Sequence, residues 1–301
     1  VQSLLNTEIG IRLSNDMALG ETDFELMGMS GNNVKILLDG IPLIDRGATK
    51  QSLSQLDVNS IERVEIVEGP MSVVYGTDAL AGVINIITKK GDGYSEENTW
   101  RVGARVQEES MGKEYDFFKD KGLHNESIDL GFNHKSGLFV NGGYTRNNHG
   151  GWQGDLTGRE KRWHPKDQAL MNGMFGFQNR NMNVWYRLDF LDEKIFGPNN
   201  GSELQPEKVS DKDFLTKRYT HQLQSDWKLD NRLDVHAALS YQDYKRRTRT
   251  TESDLSTGEK WLSSAEASQD ITQYKAWIAR ATVAWNIAPE FSVQPGVEYQ
   301  W

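Results

Sequence analysis

The residues best suited to chemistry in this chain are histidines and carboxylates of its second half. His149 and His164 share one long polar segment with Trp152 and Trp163. Imidazole and indole rings on one segment could contact a flat ligand, such as a porphyrin or an aromatic chelate. The alternative is a mobile polar loop that contacts no ligand.

A second group consists of carboxylates in the polar segment between residues 192 and 217. Several carboxylate oxygens on one loop could bind Ca²⁺, which prefers oxygen ligands. The candidates are Asp192, Glu193, Glu203, Glu207, Asp211 and Asp213. The alternative is an acidic loop surrounded by water. Because the chain has no cysteine and its six histidines are scattered, no other cofactor and no thiolate or histidine metal site are predicted.

Motifs of catalysis are absent from the sequence. It lacks the patterns G-x-S-x-G, H-E-x-x-H and the P-loop, which mark common hydrolases and nucleotide-binding enzymes. The net charge is −9 at pH 7 and there is no basic stripe, which argues against nucleic acid as a partner. We therefore expect a protein that is not an enzyme and does not bind nucleic acid.

From residue 100 onward, apolar and polar residues alternate over stretches of about ten residues, the length of a transmembrane β-strand. One face of 233–242 carries Leu, Val, Ala, Leu and Tyr, and the other carries Asp, His, Ala, Ser and Gln. Such stretches begin near residues 100, 127, 137, 168, 181, 219, 232, 272 and 291. Short turns between them alternate with polar connections over 147–166, 192–217 and 247–270. This pattern fits a barrel wall between lipid and water, or a soluble β-sandwich with one buried face.

The first ninety or so residues have a different pattern, which is typical of a compact α+β unit. In 61–68, apolar Val64 and Ile66 alternate with charged Arg63 and Glu65, as in a half-buried strand. A Gly-Pro pair ends this strand, and a later β-branched run predicts a second strand. Further elements are a helix and then a strand over 1–20, a strand over 34–39 and a short helix over 52–59.

Two segments of this unit resemble the plug domain of TonB-dependent outer-membrane receptors. The first, from Ile61 to Lys89, is similar to the family pattern IERVEIVRGPxSxLYGxxAxGGVINIITK. The second, from Val34 to Leu43, is similar to the family pattern VLVLIDGVPL. The chain departs from the family at Met27, where Arg is usual, and at Glu68, where many members have Arg or Lys.

The resemblance implies an α+β plug domain followed by antiparallel transmembrane β-barrel strands, and barrels of this family have about 22 strands. We expect residues 1–95 to form an N-terminally incomplete plug and residues 96–301 to form the N-terminal portion of the barrel. Because roughly nine strands cannot close around a plug, we expect the chain to be a fragment.

The resemblance also implies TonB-dependent active import of a scarce nutrient across the Gram-negative outer membrane, with the plug gating the barrel. The expected ligand is a ferric siderophore or other iron chelate, haem, cobalamin or a similar small nutrient. The expected partners are the TonB–ExbB–ExbD complex and outer-membrane lipid. Two other classes stay open, namely a passive porin or surface-binding β-barrel and a soluble α+β binding module.

By position in the family, the plug apices at 27–33 and 44–50 would face the ligand. The contact candidates there are Asn32, Asn33, Asp45, Arg46 and Thr49; the alternative is that these are plain turn residues. Arg63 and Glu65 are expected to hold the plug inside the barrel as an ion-pair latch. A buried pair can act in this way because breaking it leaves an uncompensated charge.

Overall fold

In the computed structural model of the protein, the described residues are 11–16, 21–26, 28–30, 33–43, 53–69, 79–91 and 97–301. They form three β-sheets of three, four and eleven strands. The two small sheets lie within residues 11–91, which we call the N-terminal unit. The large sheet begins at residue 99, and we call it the wall.

The N-terminal unit contains a three-stranded and a four-stranded sheet. Its strands are β1 (Ile11–Asp16), β2 (Glu21–Leu26), β3 (Met29–Ser30), β4 (Val34–Leu38), β5 (Ile41–Pro42), β6 (Ile61–Glu68) and β7 (Gly82–Thr88). The four-stranded sheet has the order β5-β4-β7-β6, with β4 parallel to β7. The strands predicted on either side of the Gly-Pro pair are confirmed as β6 and β7, which pair antiparallel.

The core of the N-terminal unit lies on both sides of β4 and β7. On one side, the buried cluster is Leu26, Val34, Ile36, Leu38, Leu56, Ala81, Ile84 and Ile86. On the other side, Leu37, Ala79 and Val83 pack together. The run of apolar residues in β4 is therefore buried on both faces, as its sequence predicts.

The helix predicted over 52–59 is wrong, because the described residues there form two 3-10 turns, Leu53–Gln55 and Val58–Ser60. Asp57 lies between the turns, and its side chain accepts a hydrogen bond from the Asn59 backbone N–H at 3.0 Å. Asp, Asn and Ser side chains bond to nearby backbone groups and so favour turns over helix interiors. The strand predicted within 1–20 is β1, whereas the helix before it lies outside the described residues.

No helix within the described ranges is both long enough and apolar enough to cross a membrane.

The wall is an eleven-stranded antiparallel sheet in which strands that follow one another along the chain are mostly neighbours. Its strands are β8 (Thr99–Glu109), β9 (Leu123–Asn133), β10 (Leu138–His149), β11 (Lys166–Gln178), β12 (Met182–Gly197), β13 (Lys208–Lys228), β14 (Leu233–Asp254), β15 (Lys260–Leu262), β16 (Ile271–Ala288), β17 (Phe291–Val293) and β18 (Gly296–Gln300). Among the described residues, β8 does not pair with the last strands, so the sheet is open. The last predicted strand is split into β17 and β18 around Pro295, which has no N–H to donate.

Side chains alternate between two faces of the wall. In β14, Ser240 and Gln242 are buried toward the N-terminal unit, whereas Leu239 is 42% exposed on the opposite face. Val140 of β10 and Phe175 of β11 are more than half exposed on that outward face. A soluble sandwich would bury its apolar face, so this arrangement contradicts that alternative and fits a wall that faces lipid.

The polar connections are shorter than predicted, because the strands continue past the apolar surface. β12 ends at Gly197 and β13 begins at Lys208, so much of the predicted connection 192–217 is paired strand. Cross-strand ion pairs occupy the extension, for example Lys217 with Asp192 at 3.1 Å. The predicted domain boundary between residues 95 and 96 falls between β7 and β8.

Gly82 is a position where the fold requires glycine. Its φ is +146°, and an added Cβ would lie 2.2 Å from the Val67 carbonyl oxygen and 2.7 Å from Leu26 Cδ2. We predict that Gly82→Ala lowers the free energy of unfolding of the N-terminal unit by roughly 2–4 kcal/mol, because it adds both strain and a clash. Limited proteolysis of the purified complete protein in increasing urea would measure this loss.

The matched control is Gly28→Ala. Gly28 also has a positive φ, +77°, but an added Cβ there would meet no atom within 4 Å. The Gly28→Ala substitution should therefore lower the free energy of unfolding by only about 1 kcal/mol. Equal losses in the two variants would contradict the close contact between Gly82 and β6.

Candidate functional site

The wall holds the β4–β5 hairpin through backbone carbonyls. Four inward-facing side chains of β13, β14 and β16 donate hydrogen bonds to successive parts of this hairpin. The donors and acceptors are Gln222 to Leu38 O at 3.2 Å, Gln224 to Asp39 O at 2.8 Å, Arg280 to Gly40 O at 2.7 Å and Gln242 to Pro42 O at 2.7 Å. Amide and guanidinium groups can replace water at these carbonyls, so the backbone of the hairpin is bound mainly through polar contacts.

The turn of this hairpin is connected to the end of β7 by a buried carboxylate. Asp39 has φ +50°, which Asp tolerates better than most residues. Its side chain accepts hydrogen bonds from the Thr88 backbone N–H at 3.0 Å and the Thr88 hydroxyl at 2.7 Å, and it pairs with Lys90 at 3.1 Å. Lys90 also lies 5.1 Å from the centre of the Trp185 ring. The exit of the N-terminal unit is therefore in contact with the wall.

A second contact is built around Asp57, between the two 3-10 turns. Its carboxylate accepts hydrogen bonds from the Thr145 hydroxyl and the Asn172 amide, each at 3.0 Å. Asn59 donates to Thr145 at 3.1 Å. Burial raises the pKa of Asp57 above its ordinary value, and this effect outweighs the hydrogen bonds from Thr145 and Asn59.

Arg187 brings positive charge to the same region. It is only 2% exposed, forms a bidentate pair with Asp189 at 2.6 and 2.7 Å, and donates to the Ser60 hydroxyl at 3.2 Å. A buried guanidinium requires such partners, because an unpaired buried charge is very costly. Arg187 therefore joins the wall to the second 3-10 turn.

A third contact surrounds Glu193, which is 1% exposed. Its carboxylate accepts from the amides of Gln55 and Gln168, each at 2.8 Å, and pairs with Lys166 at 3.1 Å. Arg218 donates to the Gln55 carbonyl at 2.8 Å. The first 3-10 turn is thus bound by side chains of three wall strands.

These three contacts make the interface between the N-terminal unit and the wall predominantly polar. An apolar contact exists where Ile41 packs with Ala238 and Ile278. A neutral hydrogen bond contributes only about 0.5–1.5 kcal/mol net, because water replaces the lost partner when the groups separate. The arrangement therefore holds the unit in a defined position mainly through hydrogen bonds, some of them to charged groups.

Arg63 and Glu65 form no ion pair with the described wall strands, and their role as a latch between the plug and the barrel stays a prediction. Arg63 pairs with Glu62 at 3.0 Å and with Glu65 at 2.9 Å, and its side chain is 54% exposed. The physical reason is that residues 63 and 65 share one face of the edge strand β6, so they reach each other first. The contacts to the wall come from Asp57, Gln55 and the hairpin instead.

The sequence did not single out these contact residues. The sequence predicted a strand that begins near residue 219, but not that its Thr220, Gln222 and Gln224 face the N-terminal unit. Among the predicted apex residues, Asn33 is described, half-buried, immediately before β4. The others, Asn32, Asp45, Arg46 and Thr49, lie outside the described residues.

The predicted ligand loop between β10 and β11 places its two histidines, His149 and His164, beside different clefts. The His149 ring is 7% exposed and packs on Trp163 with ring centroids 4.2 Å apart. Trp152 and Trp163 exchange backbone hydrogen bonds at 2.8 and 3.0 Å. His149 borders an open cleft of about 440 Å³, and His164 borders a separate cleft of about 360 Å³. His149 thus has a structural role, and contact of this loop with a ligand stays a prediction.

The carboxylates considered for Ca²⁺ mostly have basic partners. Besides the pairs of Asp192 and Glu193, Asp211 pairs with Arg159 at 2.7 Å, and Asp213 pairs with Lys194 at 3.2 Å and Arg249 at 2.6 Å. In the part of the chain that the structure describes, no group of three His, Asp or Glu residues could hold a metal ion.

Comparison with known proteins finds a family model that matches the first part of the chain and relatives that match a quarter to a third of it. Residues 1–83 match the family model of the TonB-dependent Receptor Plug Domain. The ferrienterobactin receptor of Escherichia coli K12 is 33% identical over 107 residues, which cover 31% of this chain and 14% of that protein. The iron-regulated outer membrane virulence protein of Vibrio cholerae O395 is 40% identical over 80 residues, covering 23% and 12%.

The fold is also similar to that of solved proteins. The ferric yersiniabactin uptake receptor of Yersinia pestis superimposes with a TM-score of 0.61 at 14% identity, covering 99% of this chain and 53% of that chain. The chain therefore spans about half the length of that receptor. Two of these three proteins are named as receptors, and one of the two is an uptake receptor.

His149 makes the connection between β10 and β11 sensitive to acid. It lies beyond the outward apolar residues of β10, past the Arg146–Asp167 ion pair at 3.2 Å. Its Nδ1 accepts from the Gly151 N–H at 2.9 Å, so this nitrogen carries no proton. Burial, followed by the charge of Lys166, lowers the pKa of His149 from 6.5 to about 4.

We predict that this connection is intact above pH 6.5 and loosens as the pH falls from 6.5 toward 4. In that range the opened connection binds a proton that the closed one excludes, so closure is lost with acid. At pH 5, the protection of the Gly151 amide against hydrogen exchange, corrected for intrinsic rates, should be about tenfold to thirtyfold lower than at pH 7.5. In His149→Gln this pH dependence should disappear; its persistence would show that another group titrates.

Proposed function

Because this chain carries the plug domain of the TonB-dependent receptor family and the fold of an outer-membrane receptor of that family, we propose that the complete protein imports an iron chelate. Transport would cross the Gram-negative outer membrane, with energy supplied through TonB, ExbB and ExbD. The observation that carries the proposal is a plug-like unit bound by polar contacts to the lumenal face of a lipid-facing wall. The names of two relatives, one a ferrienterobactin receptor and one iron-regulated, favour an iron chelate over haem or cobalamin.

The geometry supports a gating role for the N-terminal unit. The wall binds it through the β4–β5 hairpin, the Asp57 contact and the Glu193 contact. A pull on the unit would break these hydrogen bonds one group at a time, and water would replace each lost partner. The ionic group of Arg187 and Asp189 lies entirely on β12, so it stays paired when the unit moves. Movement of the unit therefore does not separate this ion pair.

The other two function classes fit the structure less well. A passive porin needs an open lumen, but here polar side chains of the wall hold a folded unit against its inner face. A soluble α+β module would not expose a row of apolar and aromatic side chains on one face of a large sheet. A passive porin therefore does not account for the bound N-terminal unit, and a soluble module does not account for the exposed apolar face of the wall.

We predict that iron accumulation through the complete receptor requires TonB. Cells that express the full-length gene as their sole receptor of this type would be given radiolabelled catecholate, hydroxamate and carboxylate iron chelates, and haem and cobalamin in parallel arms. Accumulation of one iron chelate should occur only when TonB is present, because the plug needs energy to move. Equal accumulation in cells that lack TonB would contradict the proposal and indicate a passive route.

A reversible crosslink tests whether the plug must move. The chain has no cysteine, and the side chains of Asn59 and Thr145 meet at 3.1 Å, so a disulfide can be introduced there without a competing thiol in this chain. We predict that Asn59→Cys with Thr145→Cys abolishes uptake when oxidised and that a reductant restores it. Each single variant serves as the control and should transport in both conditions. Unchanged uptake by the oxidised, crosslinked receptor would contradict gating at this contact.

A further inference from the structure

The outward face of the wall carries an aromatic band across four neighbouring strands. Phe190 of β12 packs against Tyr219 of β13 with ring centroids 4.9 Å apart, and Tyr241 of β14 packs against Trp277 of β16 at 4.7 Å. Aromatic rings of this kind lie where hydrocarbon meets head groups. The longer connections are at this end of the strands, so the band marks the outer leaflet of the membrane.

A basic cluster stands directly beyond this band. Lys217 of β13 is opposite Lys245 of β14, and Arg247 lies two residues further along β14. Lys217 is 57% exposed, and Lys245 and Arg247 are exposed as well. Because alternate residues of a strand share a face, these cations point to the same side as Tyr219 and Tyr241.

The positive charge of this cluster is only partly balanced. Lys217 pairs with Asp192 at 3.1 Å, and the nearby Asp243 is paired with Lys275 at 3.6 Å. Among the residues that the structure describes, Lys245 and Arg247 have no ion-pair or hydrogen-bond partner. Like charges directly opposite each other destabilise an antiparallel sheet, so an anion that bridges the cations would remove this cost.

Apolar side chains stand beside the same cations. In the sheet register, Arg247 is opposite Leu215 of β13 on one side and Ile271 of β16 on the other. Ile271 is 56% exposed. A small free anion would use only the cations, whereas an amphiphile would use the cations and the apolar surface together. The surface therefore suits a molecule with an anionic head and an apolar body.

We propose that Lys217, Lys245 and Arg247 bind the phosphate groups of a phosphorylated glycolipid in the outer leaflet. Ammonium and guanidinium groups form strong, charge-assisted hydrogen bonds with phosphate. The acyl chains lie along the apolar face of β13 and β14, on the side of the aromatic band that faces the short turns. This proposal depends on the location of the receptor in the outer membrane and not on the nutrient that it imports.

The test uses the purified complete receptor in detergent micelles and compares it with the double variant Lys245→Gln, Arg247→Gln. Each protein is titrated with a diphosphorylated glycolipid, its dephosphorylated form or inorganic phosphate, and the unfolding temperature is measured. The diphosphorylated glycolipid should raise the unfolding temperature of the unchanged receptor, and the other two additives should not. The double variant should need at least about tenfold more of this lipid for the same shift.

The matched control is Arg146→Gln, an outward-facing cation on β10 that is already paired with Asp167 at 3.2 Å. It should bind the lipid like the unchanged receptor, and Lys245→Arg should also retain binding. Because the substituted side chains are exposed, folding of the barrel should persist, and heat-dependent electrophoretic mobility checks this. An equal shift with the dephosphorylated lipid or with inorganic phosphate would overturn the proposal, as would equal weakening by Arg146→Gln.

Discussion

The alternation of side chains across paired strands is the constraint on which the rest of this structure depends. In β13, Tyr219 and Leu223 face outward while Gln222 and Gln224 face the N-terminal unit. A slip of one residue in the pairing would turn the glutamines toward lipid and the aromatic ring toward the plug. The same register therefore determines both how the wall meets the membrane and how it holds the unit inside it.

The inner face of the wall holds the N-terminal unit mainly through polar groups rather than through apolar packing. When a buried apolar interface opens, its apolar surface is exposed to water. Hydrogen-bonded groups instead exchange their protein partners for water. The bonds from Gln224 and Gln242 to hairpin carbonyls, and from Asn172 to Asp57, are exchangeable in this sense. In the proposed gating role, the unit would stay bound at rest because many weak bonds act together, and its movement would expose only the small apolar cluster of Ile41, Ala238 and Ile278.

Much of this architecture is predictable from the sequence, because periodicity is local. The alternation in 233–242 and the β-branched runs of β4 and β7 determine strands and faces without any knowledge of partners. The contact residues are different: Asp57 reads as a turn residue, and Arg187 reads as a charge on a polar strand face. Their partners are more than eighty residues away along the chain, and no local pattern encodes such a distance. Arg63 and Glu65 differ in this respect, because a local ion pair joins them, and their role as a latch stays a prediction.

The length of the central strands has a consequence for the cell surface. β13 and β14 contain 21 and 22 residues, about twice the 9–11 residues that a tilted strand needs to cross the hydrocarbon core. At about 3.3 Å per residue and a tilt near 45°, the surplus raises their ends about 25 Å above the bilayer. The ends of these two strands would therefore form a rigid rim above the lipid, at a distance from the head groups.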